Sequence, residues 1–339
     1  MERTTAKKNK YEIDMCNGTI MDKLISFSLP LMLSGILQLM FNAVDIIVVG
    51  RFSGSQALAA VGSTSALINV FTNLFIGISL GANVLTARFY AAGREKEVSE
   101  TVHTAITLAL VSGIVMALVG LVFSRGALAL MGTPDDVIEL SALYMRIYFL
   151  GMPFFMLYNY GAAILRAVGD TKRPLLFLMI AGVINACLNM VLVIVFKLGV
   201  AGVAIATVIS QMISCVLVLR CLCRSESSYR LRFSELGMKG YYLKQIFSVG
   251  VPAGIQSTVI NFSNVLLQSS VNSFGSTAMA GYTAANNLLG FLYVSVNSIT
   301  QACMSFTSQN YGVGKLKRMD RVLADCMILS VVVAVVLGC

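Results

Sequence analysis

Residues 24–49 read LISFSLPLMLSGILQLMFNAVDIIVV, with one acid, Asp45, and no base. A helix needs about 20 mostly apolar residues to cross the hydrocarbon core of a bilayer. The run is continuous and does not alternate, so it lacks the short polar/apolar strands of a transmembrane β-barrel. Eight comparable runs follow, at 58–87, 101–123, 137–163, 175–196, 199–219, 246–271, 278–306 and 322–338. The sequence therefore predicts an all-α polytopic membrane protein with nine spans. Its composition agrees: 57% of the 339 residues are hydrophobic, 12% are charged, and the mean hydropathy is +0.81. A soluble domain carries about twice that charge fraction, so an ordinary globular enzyme, a disordered chain and a fibre are excluded. Twenty-eight glycines against five prolines suit long helices with closely packed backbones.

The charges assign an orientation. The formal net charge is +9, which in a soluble protein would suggest a nucleic-acid partner. Here the basic residues alternate with the spans, so no such partner is expected. With the N-terminus inside, twenty-one Lys and Arg lie on the cytoplasmic side. Three (Arg51, Arg125, Lys197) lie outside, and only Arg146 falls within a span. Membrane proteins concentrate basic residues in cytoplasmic loops, so this asymmetry predicts a multi-pass protein of the inner (plasma) membrane with a cytoplasmic N-terminus. Residues 1–23 are polar and basic, and no cleavable signal peptide is expected. The eight cysteines form no CxxC pair and the only histidine is His103, so no zinc-type ligand set and no cofactor is expected.

The chain repeats at an offset of 221. GSQALAA at 54–60 returns as GSTAMAG at 275–281, Tyr90-Ala-Ala-Gly93-Arg94 as Tyr311-Gly-Val-Gly314-Lys315, and Lys96 as Lys317. Six spans separate the copies, so both run in the same direction, as parallel repeats do in some transporters. The expected organisation is a cytoplasmic tail at 1–23, a six-helix bundle at 24–219 and a cytoplasmic linker at 220–245. A partial bundle of three spans follows at 246–339. With only three spans matching the first six, the sequence reads as a C-terminally truncated product.

Ionisable groups within a span are costly and point to function. Among sixteen acids only Asp45 lies deep in an apolar run. Gln38 and Asn42 precede it at i−7 and i−3, making one polar stripe. A carboxyl group there can exchange a proton or neutralise a bound cation. Asn185 and Asn189 are i, i+4 on the fifth span, and Thr207, Ser210, Gln211 and Ser214 share a face of the sixth. Asn261, Asn264 and Gln268 line the seventh, and Asn286 and Asn297 lie on the eighth. Singly, each suits hydrogen bonding between helices; together they predict a wet cavity between two halves. Leucine stands opposite Asp45 in the repeat, which leaves the coupling element to the first half. Eighteen Met and eighteen Phe offer a soft wall for varied apolar ligands.

The segment Leu165-Arg166-Ala167-Val168-Gly169-Asp170-Thr171-Lys172-Arg173-Pro174 resembles the LRAxGDTxxP loop of the multidrug and toxic compound extrusion (MATE) family. Gly199-Val-Ala-Gly202, Ala204-Ile-Ala-Thr207 and Ser210-Gln211 are similar to its sixth span, and Val44-Asp45 to Gly50 is similar to its first. The tandem GSxALA and YxxG repeats fit as well, and the likeness is closest to the bacterial DinF-like and MepA-like branch. The resemblance implies two six-helix bundles facing a central cavity and export of cationic or amphiphilic compounds in exchange for sodium ions or protons. It implies a cation site at Asp45, Asn185, Asn189 and Thr207, with Tyr144 in the same lobe and Gln38, Asn42, Gln211, Asn261, Asn264 and Asn286 facing substrate. The full-length protein is expected to be a monomer whose partners are small substrates and lipid. One departure stands out. The family commonly has Asp at the position of Asn189, so the oxygen ligands remain while one negative charge is lost. Two other readings compete. A flippase for lipid-linked sugars would favour a basic cavity, for which only Arg146 is available. A membrane enzyme would need acid, His, Ser or Cys companions around Asp45, and there are none.

Overall fold

The computed structural model describes residues 11–272 and 276–338. It leaves out the side chains of Ala66 and of 261, 262, 265, 266, 268, 269, 271, 272, 276–284 and 286–288. All nine apolar runs are helical over the described residues. In order they are α1 (Met21–Phe52), α2 (Gly54–Ala91), α3 (Glu95–Leu130), α4 (Asp135–Leu150), α5 (Met152–Ala167), α6 (Lys172–Asn189), α7 (Gly199–Cys223), α8 (Gly240–Asn272), α9 (Ser276–Gly312) and α10 (Leu316–Gly338). A hydrocarbon core has no water to satisfy backbone groups, so the chain answers it with long helices.

The fourth predicted span, 137–163, is two helices. The chain bends by 47° between α4 and α5, where Gly151 and Pro153 interrupt the hydrogen-bond ladder. Among the described residues, six helices or helix–π units (α1, α2, α3, α6 with its π-turn, α7, α10) are long and apolar enough to span alone, and the α4–α5 pair makes a seventh. α8 and α9 have 33 and 37 residues but are interrupted by Ser, Thr, Asn and Gln, so their apolarity is lower. The fifth run also departs from an ideal helix. Directly after Asn189 the chain widens into a π-helix over Met190–Val195. It then turns through Lys197 and Gly199, both at positive φ.

α2 packs against α8, and α1 packs against α9. The offset of 221 turns one of these pairs into the other: first and eighth spans, seventh and second. The shared YxxG motif has one structural meaning in both copies. Gly93 and Gly314 adopt left-handed φ values of 69° and 73°. The amides of Arg94 and Lys315 reach back five residues, to the carbonyls of Phe89 (3.0 Å) and Asn310 (2.9 Å). Each motif is a Schellman cap. Gly169, in the LRAVGD loop, closes α5 in the same way, with Asp170 N on Leu165 O at 2.9 Å.

The contacts between halves gather at the end where these caps lie. The backbone of α2 at Gly77 and Gly81 touches α8 at Gly254 and Ile246, and Phe89 meets Tyr242 edge to face at 6.0 Å. Asn83 is buried, donates to Ala163 O (2.8 Å) and accepts from Ser305 Oγ (3.1 Å). Gln309 Nε2 reaches Ala167 O at 2.7 Å. Within the region read as a tail, residues 11–18 pack against the helices. Met15 is fully buried with Leu24, Phe27, Phe306, Val322 and Cys326. The linker is also anchored, through buried Tyr229 and Leu231. The amide of Arg232 donates to His103 Nε2 at 3.0 Å while Nδ1 faces Ser99 O at 2.7 Å. His103 is thereby used in holding the linker.

Candidate functional site

Asp45 sits two turns before the end of α1, and Asn189 is the last residue of α6. They meet because Gly182, on α6, has no side chain and the Phe41 ring lies in its place. Phe41 precedes Asp45 by one helical turn and Gly182 precedes Asn189 by two, so that close approach aligns both polar residues. The Asn189 amide nitrogen donates to Asp45 Oδ1 and lies 3.2 Å from Asn185 Oδ1. Asn185 Nδ2 then donates to Thr207 Oγ1 on α7 at 3.4 Å. The Thr207 hydroxyl itself donates to Val203 O at 3.0 Å and lies near the Asp45 carboxylate. Asn185 and Asn189 are buried, and Asp45 and Thr207 are half-buried. Three helices thus bring all four predicted cation-site residues into one connected cluster.

The cluster is short of positive charge. Among the described residues no Lys or Arg pairs with Asp45. Its partners are amide and hydroxyl groups, which stabilise a carboxylate without neutralising it. Asn189 Oδ1 is buried with no partner, and a buried acceptor left empty is costly. Hard cations take oxygen ligands. Asp45, Asn185 Oδ1, Asn189 Oδ1 and Thr207 Oγ1 supply such oxygens once the Asn189 amide turns over, an assignment made from the hydrogen-bond network. With the amide nitrogen toward Asp45, as here, the arrangement suits a hydrogen-bonded acid. The same residues can therefore accommodate a proton or a small cation.

Tyr144 is buried on α4 and stacks on Tyr148 with ring centroids 6.1 Å apart. Both tyrosines lie within electrostatic reach of Asp45, and Tyr148 also approaches Gln211. Gln211 Oε1 is a second buried acceptor without a partner. Tyr148 was absent from the sequence reading, although its position one turn after Tyr144 puts it on the same helix face. Asn83 was missed as well; it is one of three asparagines (Asn69, Asn73 and Asn83) in the apolar run of the second span, and nothing in their spacing singles it out. Gln38, Asn42 and Asn264 are exposed and stand apart from the cluster, so the stripe on α1 does not act as one unit. The side chains of Asn261, Gln268 and Asn286 lie outside the described residues. Among the described residues no group of three His, Cys, Asp or Glu side chains could hold a metal.

The LRAVGDTKRP loop has a structural role. Asp170 is fully buried; it accepts from the Arg173 amide at 3.1 Å and from Arg173 Nε, capping the start of α6. Arg173 Nη1 reaches Cys221 Sγ on α7 at 3.1 Å. The loop therefore fixes the relative placement of α6 and α7, the two helices that carry Asn185, Asn189 and Thr207.

The family model described as MatE matches residues 30–191 and 252–339. A Bacillus subtilis (strain 168) protein named Probable multidrug resistance protein YoeA is 35% identical over 320 residues, covering 92% of this chain and 69% of that protein. Multidrug export protein MepA of Staphylococcus aureus (strain NCTC 8325 / PS 47) is 23% identical, with 92% of this chain and 69% of that one covered. Among solved structures, one described as the outward-facing conformation of a multidrug resistance MATE family transporter superposes with a TM-score of 0.89. That match has 21% sequence identity and covers 96% of this chain and 73% of the other.

Proposed function

This chain belongs to the multidrug and toxic compound extrusion family of membrane transporters, and from that premise we propose that it is a cation-coupled antiporter. It exports cationic or amphiphilic compounds across the plasma membrane by alternating access, taking up protons or sodium ions in exchange. The observation that carries this reading is the cluster of Asp45, Asn189, Asn185 and Thr207. It holds a carboxylate at membrane depth with no basic partner among the described residues and a buried, unpartnered amide oxygen beside it. Such a group is stable either protonated or with a cation bound, so its occupancy responds to an ion gradient. The stacked tyrosines and Gln211, next to the cluster, give a substrate cation aromatic faces and a free acceptor. No nucleic acid is involved, and the orientation is that of the basic loops, with the N-terminus cytoplasmic.

Competition between ion and substrate follows from this arrangement. A protonated or cation-loaded Asp45 lowers the negative charge that attracts a cationic drug, so ion uptake favours drug release. The test is efflux of a cationic dye from proteoliposomes carrying the protein, with a proton gradient and a sodium gradient imposed separately. Efflux driven by at least one gradient is expected. Dye movement equal under both gradients and under none contradicts the proposal.

A further inference from the structure

Residues 11–18 join parts of the molecule that must separate if the end bearing the Schellman caps is to open. Their first anchors lie on the first half and the linker. The two oxygens of Glu12 accept from Tyr90 OH at 2.9 Å and from Tyr229 OH at 2.7 Å, and Ile13 N donates to Gly169 O at 3.3 Å. The following residues lie on the second half. Asn310 Nδ2 donates to Met15 O at 3.2 Å, and Lys315 Nζ to Cys16 O at 2.8 Å and Asn17 Oδ1 at 2.9 Å. Arg318 Nη2 donates to Asn17 O at 3.3 Å and to Gly18 O at 2.9 Å. Gly169 has no side chain where Ile13 crosses it; a Cβ there would strike the Ile13 backbone at 2.6 Å.

The two anchorages are unequal. On the second half the segment adds fully buried Met15 to an apolar cluster with Leu24, Phe27, Ile299, Phe306 and Val322, and Phe27 meets Phe306 edge to face at 5.6 Å. That contact includes the start of α1, so the segment and the first turns of α1 are bound to α9 and α10 as one unit. On the first half and the linker the hold is one carboxylate with two phenols, one backbone bond, and the Arg173 guanidinium over the Tyr11 ring at 5.4 Å. Burial pushes the Tyr229 phenol up from its ordinary value, so it keeps the proton it donates to Glu12.

We infer that residues 11–18 are a latch closing the end of the transporter assigned to the cytoplasm, that Glu12 is its release point, and that the latch travels with the second half when the halves part. Glu12 is a positioning residue: it touches no substrate and sets the balance between closed and open through Tyr90 and Tyr229. The inference rests on the alternating-access reading above, but its test needs neither substrate nor gradient. Genetically encoded spin labels replace Lys96 and Lys317, exposed repeat-related positions on opposite halves, and double electron–electron resonance in nanodiscs reports their separation.

The wild type should show a dominant short distance. Glu12→Ala should raise the ratio of long to short distances roughly tenfold, since a hydrogen bond to a charged group is worth about that factor or more. Tyr229→Phe, a milder change that keeps the ring, should move the ratio in the same direction by less. Asn17→Ala should leave it unchanged, because the Met15 cluster still holds that side. A wild type found only at the long distance, no shift in both Glu12→Ala and Tyr229→Phe, or an equal shift in Asn17→Ala would overturn the inference. Loss of dye transport with the distances behaving as expected would count against the transport reading alone.

Discussion

Asn189 decides what kind of ion the proposed site can take. Its amide donates to Asp45 and leaves its own oxygen unpartnered, where the family commonly has a second carboxylate. In Asn189→Asp the donor is lost and a negative charge is added beside the first. Two carboxylates repel each other, and a bound cation relieves the repulsion, in a site where water screens weakly. Sodium affinity should rise roughly tenfold or more, since each 1.4 kcal/mol is worth that factor, and isothermal calorimetry would read it. Unchanged affinity would mean that positions 45 and 189 do not share an ion. A second prediction concerns Gly169. Its φ of 96° is a conformation side chains rarely adopt, and Ile13 occupies the space a Cβ needs. Gly169→Ala should cost about 1–2 kcal/mol, seen as a lower thermal midpoint in detergent, and should speed hydrogen exchange of residues 11–18. Exchange identical to wild type would show that the crossing of Ile13 over the loop is unimportant.

At the scale of helices, glycine governs how the halves meet. Without a hydrophobic drive between helices in lipid, association depends on close backbone packing. On α2, Gly77 faces the backbone of Gly254 and Gly81 faces Ile246 O; on α8, Gly250 faces Ile78. Gly77→Val should therefore push α8 away and destabilise the protein by about 1–3 kcal/mol from overpacking. Gly62, on the same helix, has nothing within 4 Å of a Cβ. Gly62→Ala should be neutral or stabilise by up to about 1 kcal/mol through helix propensity. Equal thermal shifts for the two variants would refute a packing role for the α2–α8 seam. Continuous apolar runs made these helices readable in the sequence, and the YxxG repeat falls on two equivalent caps, a role its spacing did not announce. The π-turn after Asn189 was not readable, because it falls inside one apolar run. The bend at Gly151 did carry a signal, the Gly151-Met152-Pro153 sequence, since proline interrupts a helix; the length of the apolar run hid it.

Across the whole molecule, the residues of the Asp45 cluster were legible in the sequence and the packing of residues 11–18 was not. Asp45, Asn185, Asn189 and Thr207 stood out because polar groups are rare in spans, and three helices do bring them together. Gln38 and Asn42 share that rarity but stay exposed, because spacing along one helix does not say which neighbour it meets. Ile13, Met15 and Ile20 are isolated apolar residues in a polar, basic segment with no period, so nothing in their pattern announced that they pack against α1, α9 and α10. Their role appears only where the two halves are assembled around them. The proposed antiport depends on Asp45 linking an ion gradient to export. The most direct measurement is gradient-driven dye accumulation in everted membrane vesicles containing wild type or Asp45→Asn at matched protein levels. The substitution keeps shape and hydrogen-bonding capacity while removing the charge, so insertion should be unchanged and accumulation should fall to the level of vesicles without the protein. Accumulation by Asp45→Asn at the wild-type rate would contradict the account.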